Sequence, residues 1–335
     1  MDTDDSPLLS RRSFQQWQIV CVQMVSCGGL VMSSNSILVM GVTGQLGSLV
    51  AKSLKGKSIR VTSRRKEDLP KLKAAYGDSV FMDLDDPRTF GDALAGVESL
   101  FMLTGYSVAM LVQSKALVDS AKKAGVKHIV HLGVFTPEED CYDPHFAWHQ
   151  MVEAYIKQSG INYTFLHPNC FMQNFTGFYG MIKNGNVRFY ANDKRVGWIA
   201  LEDVADAAAK ILSSGAEHYG KDYWFSTELG NVQDVAKILS DATGFKFMPD
   251  AQPPEQFLKD MGVDPKTIDP YFFGVEESFK QVVDGRMSYI CTVRDDMPML
   301  VGRKGMTIAE WAVLHKDELF KVAAKTEELT ASRSE

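Results

Sequence analysis

The chain predicts an α/β fold, a doubly wound parallel sheet with a small C-terminal cleft lobe. Three observations carry that prediction. Short apolar runs bounded by turn residues alternate with segments of helical periodicity from Ile37 to Leu132. Buried parallel strands read as such runs because helices cover both faces of their sheet. The first run opens onto a turn punctuated by three glycines. The composition, 45% apolar and 23% charged over 335 residues, is that of an ordinary globular chain with a large core.

The elements follow in order. Ile37-Leu38-Val39-Met40 is the first strand. It feeds Gly41-Val42-Thr43-Gly44-Gln45-Leu46-Gly47, after which Leu49, Val50 and Leu54 recur at helical spacing. The glycines permit a tight turn and close backbone approach, and the helix start presents unpaired N–H groups to a pyrophosphate. A glycine triplet is weak evidence alone and becomes specific between a buried strand and an amphipathic helix. Gly41, Thr43, Gly44, Gln45, Leu46 and Gly47 are therefore the expected phosphate cradle of a Rossmann-type, NAD(P)-binding unit.

The second strand, Ile59-Arg60-Val61-Thr62, ends in Ser63-Arg64-Arg65-Lys66. A carboxylate for a ribose 2′-hydroxyl is missing, and three cations stand where a 2′-phosphate would lie. NADP(H) is expected in preference to NAD(H), with Arg64 as the clamp; a solvated basic loop is the alternative. The third strand, Val80–Leu84, carries Asp83, expected at the adenine edge. Ser99–Gly105 is the fourth strand, 108–124 a helix, and His128–Gly133 the fifth strand. Ligands of such sheets sit at the carboxyl ends of the strands. Leu103, Thr104, Gly105 and Tyr106, with Gly133, Val134 and Phe135, are thereby placed beside the cofactor and its substrate.

Charge and cysteine usage exclude other classes. A net charge of −6 and a pI near 5.7 give no reason to expect nucleic acid or an anionic membrane. Five Cys without paired spacing make neither a disulfide framework nor a metal site, which favours a reducing, cytoplasmic setting. Residues 1–34 do not belong with the rest. Their apolar run, Ile19–Met32, is too short and polar to span a bilayer. Ser10-Arg11-Arg12-Ser13-Phe14 resembles a twin-arginine export signal, yet no small-x-small cleavage site follows. A disordered extension or misassigned start, an export signal and an ordered extra element all remain open.

Several motifs together resemble the NmrA-like group of atypical short-chain dehydrogenases/reductases. They are Gly41–Gly47, Arg64, Asp83, Ala124-Gly125-Val126-Lys127-His128-Ile129, Ser159–Leu166 and Leu201-Glu202-Asp203-Val204-Ala205. The resemblance implies a sixth strand at Tyr163–Leu166 and a loop, Pro168-Asn169-Cys170-Phe171, under the nicotinamide, with Asn169 and Phe171 against the cofactor. It implies a helix opening at Asp203 and a strand at Tyr223-Trp224-Phe225. The dinucleotide core would then take residues 35–170 and 195–247. The cleft lobe would take 171–194 and 248–300, where Phe171–Asn184 and Pro249–Arg286 show no regular sheet rhythm.

Ordinary short-chain dehydrogenases carry Tyr-x-x-x-Lys on the helix after strand five and Ser at that strand's end. Here Tyr179/Lys183 and Tyr190/Lys194 lie elsewhere, and Gly133 stands at the serine's place. The helix instead carries His145, Trp148, His149 and Glu153. By the resemblance, His149 falls where relatives keep a Lys or His near the nicotinamide. It is the catalytic candidate, a general acid or a group that orients a substrate oxygen, and a helix-surface His is the alternative. His145 or Glu153 would partner it, Glu153 raising its pKa. Tyr106, Phe135, Trp148, Phe171 and Phe175 would wall a pocket for a flat aromatic substrate. Cys170 reads as a small buried residue.

The expected function is an NADPH-dependent oxidoreductase passing hydride to a quinone or similar conjugated acceptor, acting as monomer or homodimer. A non-catalytic NAD(P) sensor and a reductase of benzylic ether, imine or azo bonds are the alternatives.

Overall fold

The computed structural model describes residues 37–105, 107–136, 143–177, 181–264 and 270–324. The expectations for residues 1–34, Tyr106 and Tyr179 lie outside them. The chain starts with β1 (Ile37–Val39), α1 (Gln45–Ser53), β2 (Ile59–Ser63), α2 (Leu69–Tyr76), β3 (Ser79–Phe81), α3 (Phe90–Leu94), β4 (Ser99–Met102), α4 (Met110–Ala124), β5 (His128–Leu132), α5 (Pro144–Ser159) and β6 (Asn162–Pro168). It continues with β7 (Cys170–Phe171), β8 (Ile182–Lys183), β9 (Asn186–Phe189), β10 (Val196–Ile199), α6 (Leu201–Ser214), β11 (Lys221–Ser226), β12 (Glu228–Gly230), α7 (Val232–Thr243) and β13 (Met248–Ala251). Last come α8 (Gln256–Asp260), α9 (Pro270–Asp284), β14 (Arg294–Asp295), α10 (Met297–Val301), α11 (Ile308–Leu314) and α12 (Lys316–Ala324).

The main sheet runs β14-β11-β6-β5-β4-β1-β2-β3. Every pair in it is parallel except β11–β14. Chain order reverses between β1 and β4, which is the ligand crevice of a doubly wound sheet. Strand alternation fills both faces. Ile37 and Val39 join the core under α1 and α6, whereas Leu38 and Met40 join the core under α3, α4 and α5. Local chemistry ends the helices where they end: α4 and α5 stop at Gly125 and Gly160, both left-handed at φ +80°. Asp143 caps α5 through the N–H groups of His145 and Phe146, with Pro144 at the first helical position.

A second layer differs from the sequence reading. Cys170–Phe171 is not a loop: β7 pairs with β10, and β10 with β12. The segments expected to lack sheet rhythm contribute β8 and most of β13 to a small sheet, β13-β9-β8. Its hairpin turns at Asn184-Gly185, φ +55° and +74°, the backbone that an Asn-Gly pair adopts most readily. Arg188 fastens this sheet to α8, its guanidinium bonded to Asp250 at 2.6 Å and Asp260 at 2.5 Å. Together with α9 these pieces face the carboxyl ends of β4–β6.

The helix–turn contact at α1 is a close backbone-to-backbone approach. A Cβ on Gly47 would lie 2.3 Å from the Gly41 carbonyl oxygen and 2.5 Å from that of Met40. Gly47→Ala should therefore destabilise the chain by about 1–3 kcal/mol in urea unfolding. Gly91→Ala, with nothing within 4 Å, should be neutral or slightly stabilising.

Candidate functional site

The glycine turn has the shape of an anion cradle. Gly41 sits at φ +68°, and a Cβ there would meet Leu103 Cδ1 at 2.7 Å. Gly44 is the N-cap of α1 in extended conformation, with no side chain capping the helix and no acid in its first turn. The first-turn N–H groups therefore face the crevice with the positive end of the helix dipole behind them. Gly41, Thr43, Gly44 and Gln45 are exposed there, whereas the Leu46 side chain and Gly47 are buried. Leu46 offers its backbone only. The cradle fits a pyrophosphate.

At the end of β2 the three expected cations are not equivalent. Arg65 is bonded to Asp68 at 2.8 Å, and Lys66 lies over the Phe81 ring, 4.9 Å from its centroid. Arg64 is exposed, and no described residue pairs with it. Asp83, half-buried, closes its own turn by accepting the Asp85 N–H at 3.1 Å.

A cavity of about 280 Å³ opens at the carboxyl ends of β4, β5 and β6. Its sheet side is Thr104, Gly133, Val134, Phe135, Asn169 and Phe171. Its helix side is His145, Phe146 and His149, and the lobe covers it with Phe189, Tyr190, Phe257, Tyr271 and Phe279. Of the expected substrate residues, Phe135 and Phe171 line it. Trp148 does not: it packs on the α4–α5 core and edge-on to His145, ring centroids 5.7 Å apart. Phe175 is also misplaced by the sequence reading. It is fully buried between Trp198 and Trp311 in the lobe core. Asn169 is committed to the fold, its amide donating to Ser226 and Ile290 and its oxygen accepting from the Cys170 N–H. Burial and neighbouring Cys291 push the Cys170 thiol up to about 12, so it stays a thiol.

The histidines depart furthest from expectation. His145 and His149, one turn apart, are both 4% exposed on the sheet-facing side of α5. His149 Nδ1 meets His131 Nε2 of β5 at 3.4 Å. Burial, then the imidazoles of His131, His145 and His167, hold the His149 pKa well below its ordinary value. It is neutral at physiological pH, and Glu153 does not raise it. The Glu153 carboxylate instead fills the space beside Gly133, where a Cβ would lie 2.3 Å from its Oε1. It lies 3.7 Å from Nδ1 of His167, a residue the sequence reading passed over. An imidazole at the end of the otherwise buried strand Thr164-Phe165-Leu166-His167 was the available signal, since a buried imidazole needs partners. With both helix histidines neutral, the described lining of the cavity carries no charge.

Asp143 ties the site to the lobe. Fully buried, it accepts Ser278 Oγ of α9 at 2.5 Å as well as the two α5 N–H groups. Gly274 lets α9 approach, as a Cβ there would sit 2.9 Å from His145 Cε1. Among the described residues, no cluster of His, Cys, Asp or Glu is placed to hold a metal, and no helix is long and apolar enough to cross a membrane.

Comparison with known proteins agrees with this fold. The profile of the NmrA-like family matches residues 33–290. The NAD(P)H azoreductase of Xenophilus azovorans is 28% identical over 288 residues, 83% of this chain and 97% of that protein. Quinone oxidoreductase 2 of Escherichia coli is 30% identical over 196 residues, 56% of this chain and 67% of its own length. The crystal structure of Citrobacter sp. triphenylmethane reductase complexed with NADP(H) superposes with a TM-score of 0.71 at 27% identity. It covers 84% of this chain and 100% of the reductase.

The buried imidazoles set a pH dependence of stability. Burial, with His218 and His167 as lesser causes for the first two, pushes His128, His131 and His145 down to about 4, 3 and 4. His149 and His218 are lowered too, while carboxylate partners raise His167 and His315. An unfolded imidazole protonates near pH ~6.5. Below that value the unfolded chain binds protons that the five lowered histidines refuse, so stability falls as pH falls. Each contributes up to about 1.4 kcal/mol per pH unit until its folded pKa is reached. His167 and His315 work in the opposite sense but are fewer. Urea midpoints should drop between about pH 7 and about pH 5, above the carboxylate range, and His131→Gln should flatten that slope.

Proposed function

The chain belongs to the NmrA-like family, and on that premise we propose that it is an NAD(P)H-dependent oxidoreductase with an aromatic acceptor. The acceptor class is a quinone or similar conjugated system, and NADP(H) is the favoured dinucleotide. One observation carries the reading: an uncharged, ring-walled cavity of about 280 Å³ sits at the carboxyl ends of β4–β6, on the same edge as the glycine cradle.

In this reading the N–H groups of Gln45–Gly47 hold the pyrophosphate, Gly44 N–H closes the turn onto the Gly41 carbonyl at 2.9 Å, and Gly41 lets the pyrophosphate approach. Arg64 takes the 2′-phosphate, because Arg65 and Lys66 are engaged with Asp68 and Phe81. Asp83 borders the adenosine side. Leu103, Thr104, Gly105 and the Gly133–Phe135 turn, with Phe171, border the nicotinamide, whose role when bound is to supply the hydride. The rings of Phe135, Phe171, Tyr190, Phe257 and Tyr271 exclude water and stack a flat acceptor. His149 is neutral, so it orients an acceptor oxygen through a hydrogen bond and does not deliver a proton from an imidazolium. An electrophilic acceptor that draws its protons from water asks no more. This accounts for a site with Gly133 where a serine would stand.

The test is turnover of NADPH by the purified chain against quinones, azo dyes and triphenylmethane dyes, with dinucleotide binding measured separately. Turnover on at least one class is expected. Tight dinucleotide binding without turnover on any acceptor would favour the sensor reading instead. Arg64→Ala should weaken NADPH by about 10- to 100-fold, the worth of a charged hydrogen bond, and leave NADH nearly unchanged. Equal losses would remove Arg64 from the 2′-phosphate. His149→Ala should lower kcat/KM by about tenfold at most, the scale of one neutral hydrogen bond. The ratio of wild-type to variant kcat/KM should stay flat between about pH 6 and about pH 8, because His149 does not titrate there.

A further inference from the structure

Behind the Gly133–Phe135 turn lies a second cavity of about 1030 Å³, larger than the first and without His145 or His149. Phe135 lines both cavities. On the far side its wall carries Glu153, His167, Asp222 and Trp224, with Lys157, Lys221 and Arg294 around them. The turn is thus a partition. Its uncharged face looks toward the proposed acceptor site, and its other face rests on buried charge.

We propose that Glu153, His167 and Asp222 form a carboxylate–imidazolium–carboxylate bracket that positions the nicotinamide-facing turn. These are positioning residues, since none of the three lines the cavity containing His149. The proposal rests on the oxidoreductase reading for its kinetic consequence and on the geometry alone for its effect on dinucleotide binding.

His167 Nδ1 lies 2.9 Å from the Val134 carbonyl oxygen, and Nε2 lies 3.2 Å from Asp222 Oδ1. Both ring nitrogens thus face acceptors. A neutral imidazole has one N–H and leaves the other nitrogen lone pair against an oxygen; the doubly protonated ring satisfies both. Its side chain is 4% exposed, stacked on Trp224 with centroids 4.4 Å apart. The Arg294 guanidinium lies over that same Trp224 ring at 4.5 Å. Burial works against the charge. The Asp222 hydrogen bond, the Glu153 carboxylate and the Val134 carbonyl outweigh it and raise the pKa. Neutral His131 and His149 on the other side add no charge. Glu153 meanwhile occupies the space a side chain at position 133 would need, and Gly133 N–H is fixed to the Leu166 carbonyl at 2.9 Å. The turn is therefore held by backbone bonds and one ion cluster, with no side chain of its own at position 133.

When His167 loses its second proton, either Val134 or Asp222 loses a donor. The turn then loosens, and kcat/KM for the acceptor declines on the alkaline side. The experiment compares wild type with His167→Asn, which keeps a single uncharged donor group, and His167→Arg, which keeps charge and donors for both acceptors at every pH. Near-ultraviolet circular dichroism and melting identify the folded variants. His167→Asn should lower kcat by about 10- to 100-fold, the cost of a small misplacement of reacting groups, and abolish the alkaline limb. His167→Arg should restore kcat and leave a flat profile. Independently of turnover, His167→Asn should weaken NADPH while leaving 2′-phospho-ADP-ribose, which lacks the nicotinamide, unaffected. A folded His167→Asn chain with wild-type kcat and an unchanged alkaline limb would overturn the bracket. Equal loss of both nucleotides would also overturn it. If no acceptor is reduced, the nucleotide comparison still decides.

Discussion

The contact between Gly133 and Glu153 is the constraint on which the site depends. With no Cβ at position 133, a carboxylate from α5 comes within van der Waals range of the backbone at the end of β5. A serine there would displace Glu153 and press on His167. The absence of the ordinary serine–tyrosine–lysine set is therefore a packing consequence as much as a chemical one. The space that would hold an orienting hydroxyl holds a buried charge instead.

From that contact the electrostatics divide cleanly. On one side of the Gly133–Phe135 turn stand Glu153, His167 and Asp222, with Arg294 capping Trp224. On the other side the rings of α5, α9 and the lobe enclose a cavity where burial keeps His145 and His149 neutral. Low-dielectric, uncharged surroundings suit a hydride acceptor whose reduction relies on orientation and exclusion of water. A directional contact ties the lobe to this edge, and another ties the lobe together. Asp143 bonds Ser278 between α5 and α9, and Arg188 bridges Asp250 and Asp260.

Legibility in the sequence tracked the range of the interactions. The β1–α1 turn was readable because three glycines encode a backbone shape that needs no distant partner. The strand run from Ile37 to Leu132 was readable because burial on both faces leaves continuous apolar segments. Asn184-Gly185 also encoded its hairpin, but a two-residue strand before it hid the pattern. Trp148 and Phe175 were assigned to the pocket because an aromatic near a cleft and an aromatic in a core look alike until Trp198 and Trp311 are placed. The protonation of His149 was out of reach for a similar reason. Its burial depends on His131 and on a lobe arriving more than a hundred residues later. His167 was passed over because its partners Val134 and Asp222 lie 33 and 55 residues away.

The central claim is that hydride leaves a nicotinamide lying against the Gly133–Phe135 turn for an acceptor in the ring-walled cavity. Single-turnover oxidation of enzyme-bound NADPH, deuterated on one or the other face of the nicotinamide C4, tests it most directly. The account predicts that a quinone or dye oxidises the bound nucleotide and that deuterium slows the step on one face only. Bound NADPH that persists unoxidised with every acceptor, or equal rates with both labelled forms and the unlabelled one, would contradict it.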